Sequence, residues 1–119
     1  MSLITITKEQ DLFEFFKSIS PADVRECAEP RVYRKGKEYH EMDHVCCAFA
    51  NHDISIIEAT VKGTIDYKVT ISKSEVRIYG TCSCGKMEIC KHVVSVLLYG
   101  IHDRNFIHHC ENEMQKIVN

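Results

Sequence analysis

The chain has 119 residues, of which 45% are hydrophobic and 27% charged, and its formal net charge at pH 7 is -2. These values fit one globular domain with a modest core and exclude a strongly basic, generic nucleic-acid binder. The sequence shows no run of roughly 18 apolar residues that could span a membrane, and its start lacks the pattern of a secretory signal. An intracellular location is expected, in the cytoplasm or with the nucleoid or nucleus, with no membrane partner.

Two helices are predicted near the start of the chain. Thr7 and Gln10 form a capping-box pattern, and apolar residues then recur at helical spacing, so residues 8–19 are predicted to be an amphipathic helix. Ser20 and the proline after it are an N-cap and a first-turn proline, which predicts a second helix running to about Ala28. Pro30 ends that helix. The polar stretch 31–42 is compatible with a helix interrupted by glycine.

Period-two alternation in the middle of the chain predicts an antiparallel sheet of about four strands with one covered face. The alternating apolar positions are Val45, Cys47 and Phe49, then Ile54, Ile56, Ala59 and Val61, then Tyr67, Val69 and Ile71, then Val76 and Ile78. Turns between these runs are predicted at 51–53, 62–64 and 72–74.

Helical spacing returns after the sheet, from Val93 to Ile101, and again over residues 104–118. The predicted fold is therefore α+β, with N-terminal helices, the sheet, a cysteine–histidine knuckle and C-terminal helices. The predicted division is a helical segment at 1–30, a metal-binding domain at 31–101, and a C-terminal helix at 102–119 that packs on the same domain.

The knuckle contains three cysteines and a histidine within eleven residues: Cys82, Cys84, Cys90 and His92. Thiolates and imidazole are the ligands that zinc prefers, and four of them complete its tetrahedron. Such a closed shell is typical of a structural site, because catalytic zinc keeps a position open for water. We predict one structural zinc ion, with an iron–sulfur cluster as the minor alternative. The odd count of seven cysteines argues against a disulfide framework.

Spacing also predicts how the knuckle is placed. Residues two apart share one side of a turn but diverge in a helix, so Cys90 should lie just before a helix and His92 in its first turn. Gly85 lets the connecting loop reverse direction. The remaining cysteines and histidines are interpreted as core or surface residues rather than ligands: Cys27, Cys46, Cys47, His40, His44, His108, His109 and Cys110.

No enzymatic motif is present in the sequence. The zinc-deaminase signature, the phosphate-binding loop G-x-x-x-x-G-K-[ST] and the nucleophile elbow G-x-S-x-G are all missing. A cysteine–histidine nucleophile is a weaker interpretation than metal ligation. We therefore expect a non-enzymatic protein without a small-molecule substrate.

The knuckle, followed by the apolar run 93–98, closely resembles the SWIM zinc finger of bacterial SWI/SNF-class ATPases and Mutator-class transposases. The segment 35–39 resembles that family's glycine–tyrosine element and 61–71 its strand pair, so the resemblance covers about residues 31–100. It implies that the four knuckle residues are the ligands and that DNA or a protein is the partner. The chain departs from the family at Gly85, where many members have proline, and it lacks the accompanying ATPase, transposase or kinase regions.

The sequence is compatible with two functions. The first is a zinc-stabilised module that contacts DNA or accompanies a SWI/SNF-class ATPase, either alone or as the N-terminal region of a longer protein. Its phosphate contacts would come from basic side chains in the mildly positive middle of the chain: Arg34, Lys35, Lys37, Lys68, Arg77, Lys86 and Lys91. The alternative is an adaptor whose helices at 8–19 and 104–118 dock an ATPase, transposase or recombination factor without touching nucleic acid.

Overall fold

The part of the fold that the structure describes combines three helices with one antiparallel sheet. The computed structural model describes residues 2–5, 16, 19–51, 56–74, 77–86 and 88–102. Its elements are β1 (Ser2–Thr5), α1 (Pro21–Cys27), α2 (Pro30–Glu41), β2 (Val45–Asn51), β3 (Ile56–Lys62), β4 (Asp66–Ser74), β5 (Arg77–Cys82) and α3 (Lys91–His102). The predicted α+β class is confirmed. The predicted helices at 8–19 and 104–118 lie outside the described residues, apart from Phe16 and Ile19, which are both buried.

The sheet has the strand order β1-β5-β4-β3-β2, and every neighbouring pair is antiparallel. Strands β2 to β5 correspond to the four predicted runs. Strand β1 was not predicted, because four residues are too few for an alternating pattern to be recognised. It is an edge strand that pairs with β5, with Ile4 opposite Ile78.

Two details of the predicted sheet are wrong. Residues 72–74 do not form a turn but continue β4, where Ser74 pairs with Arg77. In β3 the core-facing residue is Ile57 rather than Ile56, because Ile57 shares one face with the buried Ala59 and Val61. A continuous strand allows only one phase of alternation, and pairing of Ile57 with Ile71 fixes that phase. The turn predicted at 62–64 is present, with the Gly63 N–H donating to the Ile65 carbonyl.

The helix starts follow the sequence closely. Ser20 is the N-cap of α1, and its backbone N–H donates to the Asp23 carboxylate at 2.8 Å. Pro30 not only follows α1 but begins α2, as suits a residue without a backbone N–H. Gly36 does not interrupt α2. It is the buried residue of that helix, and a side chain there would overlap the side chain of Val94 in α3.

Helix α3 covers one face of the sheet and supplies the largest share of the described core. Its residues from His92 to Leu98 are all buried, and the apolar ones among them pack in one cluster with the inward row of β3 and β4. Phe16 closes the far end of this cluster, where it lies against Gly100. Because α3 begins beside the end of β5, the two halves of the knuckle meet at one edge of the core. Among the described residues, no helix is long and apolar enough to cross a membrane.

Candidate metal centre

The structure brings the four predicted ligands together. Cys82 is the last residue of β5, Cys84 lies in the turn after it, Cys90 directly precedes α3, and His92 lies in the first turn of that helix. Their ligand atoms all lie within 4.8 Å of one another. The group, called the tetrad below, could hold a metal ion.

Backbone hydrogen bonds fix the half of the tetrad that follows β5. The Gly85 N–H donates to the Cys82 carbonyl at 3.2 Å, which closes a tight turn around Cys84. Gly85 has φ 84°, in the left-handed region that favours glycine, so this turn suits the residue found there. Ser83 binds Lys68 twice, through its backbone N–H and its hydroxyl, both at 2.9 Å. The chain therefore leaves the sheet in a defined direction.

Each of the three thiols also accepts backbone N–H groups. The Cys84 N–H donates to the Cys82 sulfur, with 3.5 Å between nitrogen and sulfur. The Lys86 N–H donates to the Cys84 sulfur. Cys90 accepts from the N–H groups of His92 and Val93 at the start of α3. Donors of this kind stabilise negative charge on sulfur, so the backbone is arranged for thiolates.

His92 faces the thiols through its Nδ1 atom. This atom lies 3.4 Å from the Cys82 sulfur and 3.7 Å from the Cys90 sulfur. The other ring nitrogen, Nε2, is buried and has no hydrogen-bond partner within the described part of the chain. Nδ1 is therefore the ligand atom that the geometry selects.

Two tyrosines hold the His92 ring in place, and sequence reasoning did not assign them to the site. The Tyr67 ring stacks on it with centroids 4.0 Å apart, and the Tyr39 ring meets it edge-on at 5.6 Å. The only signals in the sequence were the alternation that includes Tyr67 and the glycine–tyrosine element that includes Tyr39. Neither signal connects these residues to the metal ligands.

Burial controls the protonation of the tetrad. It raises the pKa of Cys82 to about 12 and also raises the pKa of Cys90 above its usual value. Partial burial of Cys84 also acts to raise its pKa. Hydrogen bonds from the Lys86 N–H and the neighbouring thiols outweigh this effect, so the pKa of Cys84 is lowered. Burial, aided by Lys91 and Lys86, lowers the pKa of His92 to about 4. The imidazole is therefore neutral at pH 7, while two of the thiols need a cation to become thiolates.

The other candidate ligands do not join this centre. Cys27 is half-buried in α1, and burial first, then Asp23 and Glu26, raise its pKa. Cys46 is half-buried in β2, while the side chain of Cys47 and residues 108–110 lie outside what the structure describes. His40 stacks on His102, and the Nδ1 atom of His44 lies 2.6 Å from the Lys62 carbonyl. Within the described ranges, the tetrad is the one group of three or more such side chains close enough to share an ion.

The seven basic residues predicted to contact phosphate fall into three locations. Lys86 lies inside the knuckle. Lys91 begins α3, and its Nζ atom lies 5.4 Å from the Tyr39 ring centroid. The backbone N–H of Lys68 donates a hydrogen bond to the Ser83 hydroxyl. Three more lie on α2, which packs against α3: Arg34, Lys35 and Lys37. Arg77 is separate, because it starts β5 at the end of that strand opposite Cys82.

Comparisons with known proteins add no family to this geometry. No protein-family model, curated protein or solved structure matches the chain.

Proposed function

We propose that the chain is a zinc-stabilised binding module, resembling the SWIM zinc finger, that contacts DNA with the basic side chains around its knuckle. The observation that supports this most directly is the convergence of α2, α3 and the knuckle loop, each with lysine, beside one compact tetrad. In this proposal the metal is structural and the chain performs no catalysis. An accessory role beside a SWI/SNF-class ATPase is compatible with such a module.

Zinc fits the spacing between His92 and two of the thiols. With zinc–sulfur bonds of about 2.3 Å and zinc–nitrogen bonds of about 2.0 Å, a tetrahedron separates sulfur from nitrogen by about 3.5 Å. The two distances from Nδ1 of His92 to cysteine sulfurs, 3.4 and 3.7 Å, bracket that value. Three thiolates and one neutral imidazole also form a donor set typical of zinc. When bound, zinc would supply the positive charge that stabilises the buried thiolates.

A structural role follows from the closed shell. Cys90 and His92 are buried, and all four positions of a tetrahedron are taken by side chains. Zinc bound here would join the end of β5 to the start of α3 and so fix the surface that both elements carry. It would have no open position for a substrate or a reactive water.

The basic side chains near the knuckle provide the DNA contact in this proposal. Helix α2 carries four basic and two acidic residues, and one of its lysines, Lys35, is paired with Glu38 at 3.7 Å. That pair is on the surface and weak, so the lysine remains available to phosphate. Lys86 and Lys91 extend the same surface around the knuckle, while Lys68 is exposed on the other face of the sheet from Tyr67 and Val69. A rigid arrangement of several such charges suits the regular spacing of a phosphate backbone.

The test is the salt dependence of DNA binding. The metal-loaded protein is titrated with a labelled DNA duplex by fluorescence anisotropy at several salt concentrations. Lys86→Gln and Lys91→Gln combined should lower the slope of log affinity against log salt by about two, one for each lost phosphate contact. Arg25→Gln, a change of an exposed basic residue on α1, is the matched control and should leave the slope unchanged. A flat salt dependence, or an equal effect of Arg25→Gln, would contradict the proposal.

A second candidate function is an adaptor for a DNA-processing or recombination enzyme. The observation that favours it is the exposure of two large apolar side chains, Met42 at 70% and Ile65 at 63%. Both lie apart from the basic residues of α2 that the first proposal uses. Crosslinking of the protein to a purified SWI/SNF-class ATPase, with and without DNA, would test this function directly.

A further inference from the structure

Two neighbouring turns carry the large apolar side chains that are exposed among the described residues. Met42 lies in the turn after α2, and Ile65 lies in the turn between β3 and β4. Single exposed apolar residues are ordinary on protein surfaces, but two on adjacent turns form a patch that needs an explanation. The two turns, residues 42–44 and 62–65, are called the paired turns below.

The paired turns are fastened to each other. The Lys62 N–H donates to the His44 carbonyl at 2.8 Å, and the Nδ1 atom of His44 donates to the Lys62 carbonyl at 2.6 Å. The first bond extends the pairing of β2 with β3 beyond Val45 and Val61. Asp43 has φ 59°, in the left-handed region that aspartate adopts more readily than most residues, which suits its place in the turn after α2. The patch is therefore a built feature and not a loose loop end.

The paired turns also rest on the metal ligand. A Cβ atom at Gly63 would lie 2.9 Å from the Tyr67 ring, so this turn packs directly on the ring that stacks on His92. On the other side, Tyr39 lies 4.6 Å from His44 and 5.6 Å from His92, measured between ring centroids. One tyrosine thus supports each turn, and both tyrosines contact the imidazole of the tetrad.

The charge around the patch identifies the kind of partner. Glu41, Asp43 and Asp66 are exposed beside the two apolar side chains, against one exposed lysine, Lys62. An acidic border disfavours nucleic acid and favours cationic side chains. We propose that the paired turns dock a protein segment whose aliphatic side chains are flanked by lysine or arginine. This inference deepens the adaptor function and rests on it.

The test uses a short labelled peptide of alternating leucine and lysine, titrated into the isotope-labelled, metal-loaded protein. Shifts in the amide spectrum should concentrate on residues 41–44 and 62–66. Ile65→Ser and Met42→Ser should each weaken binding about tenfold or more, the loss expected for one buried aliphatic anchor. Both residues are exposed, so the variants keep the fold. Ala22→Ser, an exposed change on α1 outside the patch that leaves the charge unaltered, is the matched control.

Several outcomes would overturn the proposal. A leucine–glutamate peptide that binds equally well, spectral shifts centred on other residues, or unchanged affinity in both serine variants would each contradict it. So would a finding that Ile65→Ser dissociates a dimer of the protein or abolishes DNA binding, because the patch would then serve another partner. Failure here is distinguishable from failure of the adaptor function. If the protein still crosslinks to the ATPase after both serine changes, the adaptor function stands and the paired turns are not its docking surface.

Discussion

The Tyr67 ring lies flat on the His92 imidazole, with centroids 4.0 Å apart and planes inclined by 19°. Tyr67 sits on β4, opposite Val61 of β3, so the sheet itself supplies the support for a ligand carried by α3. The contact fixes the plane of the imidazole, and Nδ1 lies on the side of the thiols. The sheet thus helps to orient a side chain that α3 carries.

Removing the stacked ring should weaken metal binding without removing a ligand. Tyr67→Ala is expected to lower metal affinity by about ten- to hundredfold, the usual effect of losing a group that orients a ligand. Tyr67→Phe keeps the ring and should bind like the wild type. Affinity is measured by competition with a chromogenic chelator. Tyr79→Ala, on the opposite face of neighbouring β5, serves as the control, and an equal loss there would argue against a specific role of Tyr67.

Cys84→Ser should remove the metal and most of the fold. Structural zinc contributes about 10–16 kcal/mol in zinc-finger peptides, which is comparable with the entire stability of a small domain. The variant should therefore show less than one metal per chain and lose its cooperative thermal transition. Metal content by elemental analysis and circular dichroism on heating provide the measurements. Cys46→Ala, half-buried and outside the tetrad, should keep the metal, whereas an unchanged melting transition in Cys84→Ser would refute a structural role.

How much of this protein could be predicted depends on whether the signal was local. The four residues of the tetrad lie within eleven positions of the sequence. Their spacing alone therefore predicted the candidate metal site and the position of Cys90 just before α3. The same holds for Ser20 and Pro21 at the start of α1. Tyr67 and Tyr39 could not be assigned, because their contacts with His92 join segments far apart in the chain and depend on strand register.

The sheet shows the same division between local and distant information. Alternation located β2 to β5, but the inward phase of β3 depends on Ile57 facing Ile71 across the sheet. Strand β1 is defined by its pairing with β5, and the local sequence contains no pattern that predicts it. Gly36 was interpreted as a helix interruption because glycine is a poor helix former. In the structure, glycine at this position allows α2 to pack closely against Val94 of α3.

Gly36→Ala should destabilise the protein although alanine is the better helix former. The added methyl group would overlap Val94 and lie 2.8 Å from the Lys91 carbonyl. Helix propensity favours alanine by about 1 kcal/mol, but overpacking a tight contact costs about 1–3 kcal/mol. We expect a net loss in the free energy of unfolding, measured by chemical denaturation. Lys37→Ala, exposed on the same helix, should be nearly neutral, and a gain in stability from Gly36→Ala would mean that α2 and α3 are less closely packed.

The His40–His102 pair should make stability sensitive to mild acid. The two rings stack with centroids 5.0 Å apart, and burial first, then the neighbouring His102, lower the pKa of His40 below 6.5, with Glu41 and Asp43 acting in the opposite direction. The unfolded chain then binds the proton more readily than the folded one. The stability that neutral His40 allows is complete above about pH 6.5 and is lost as pH falls through that value towards the folded pKa. The free energy of unfolding of metal-loaded protein, compared at about pH 7.5 and about pH 5.5, should fall more in the wild type than in His40→Gln. Because the variant keeps the tetrad, acid release of metal is common to both, and identical losses would show that His40 is not the group responsible.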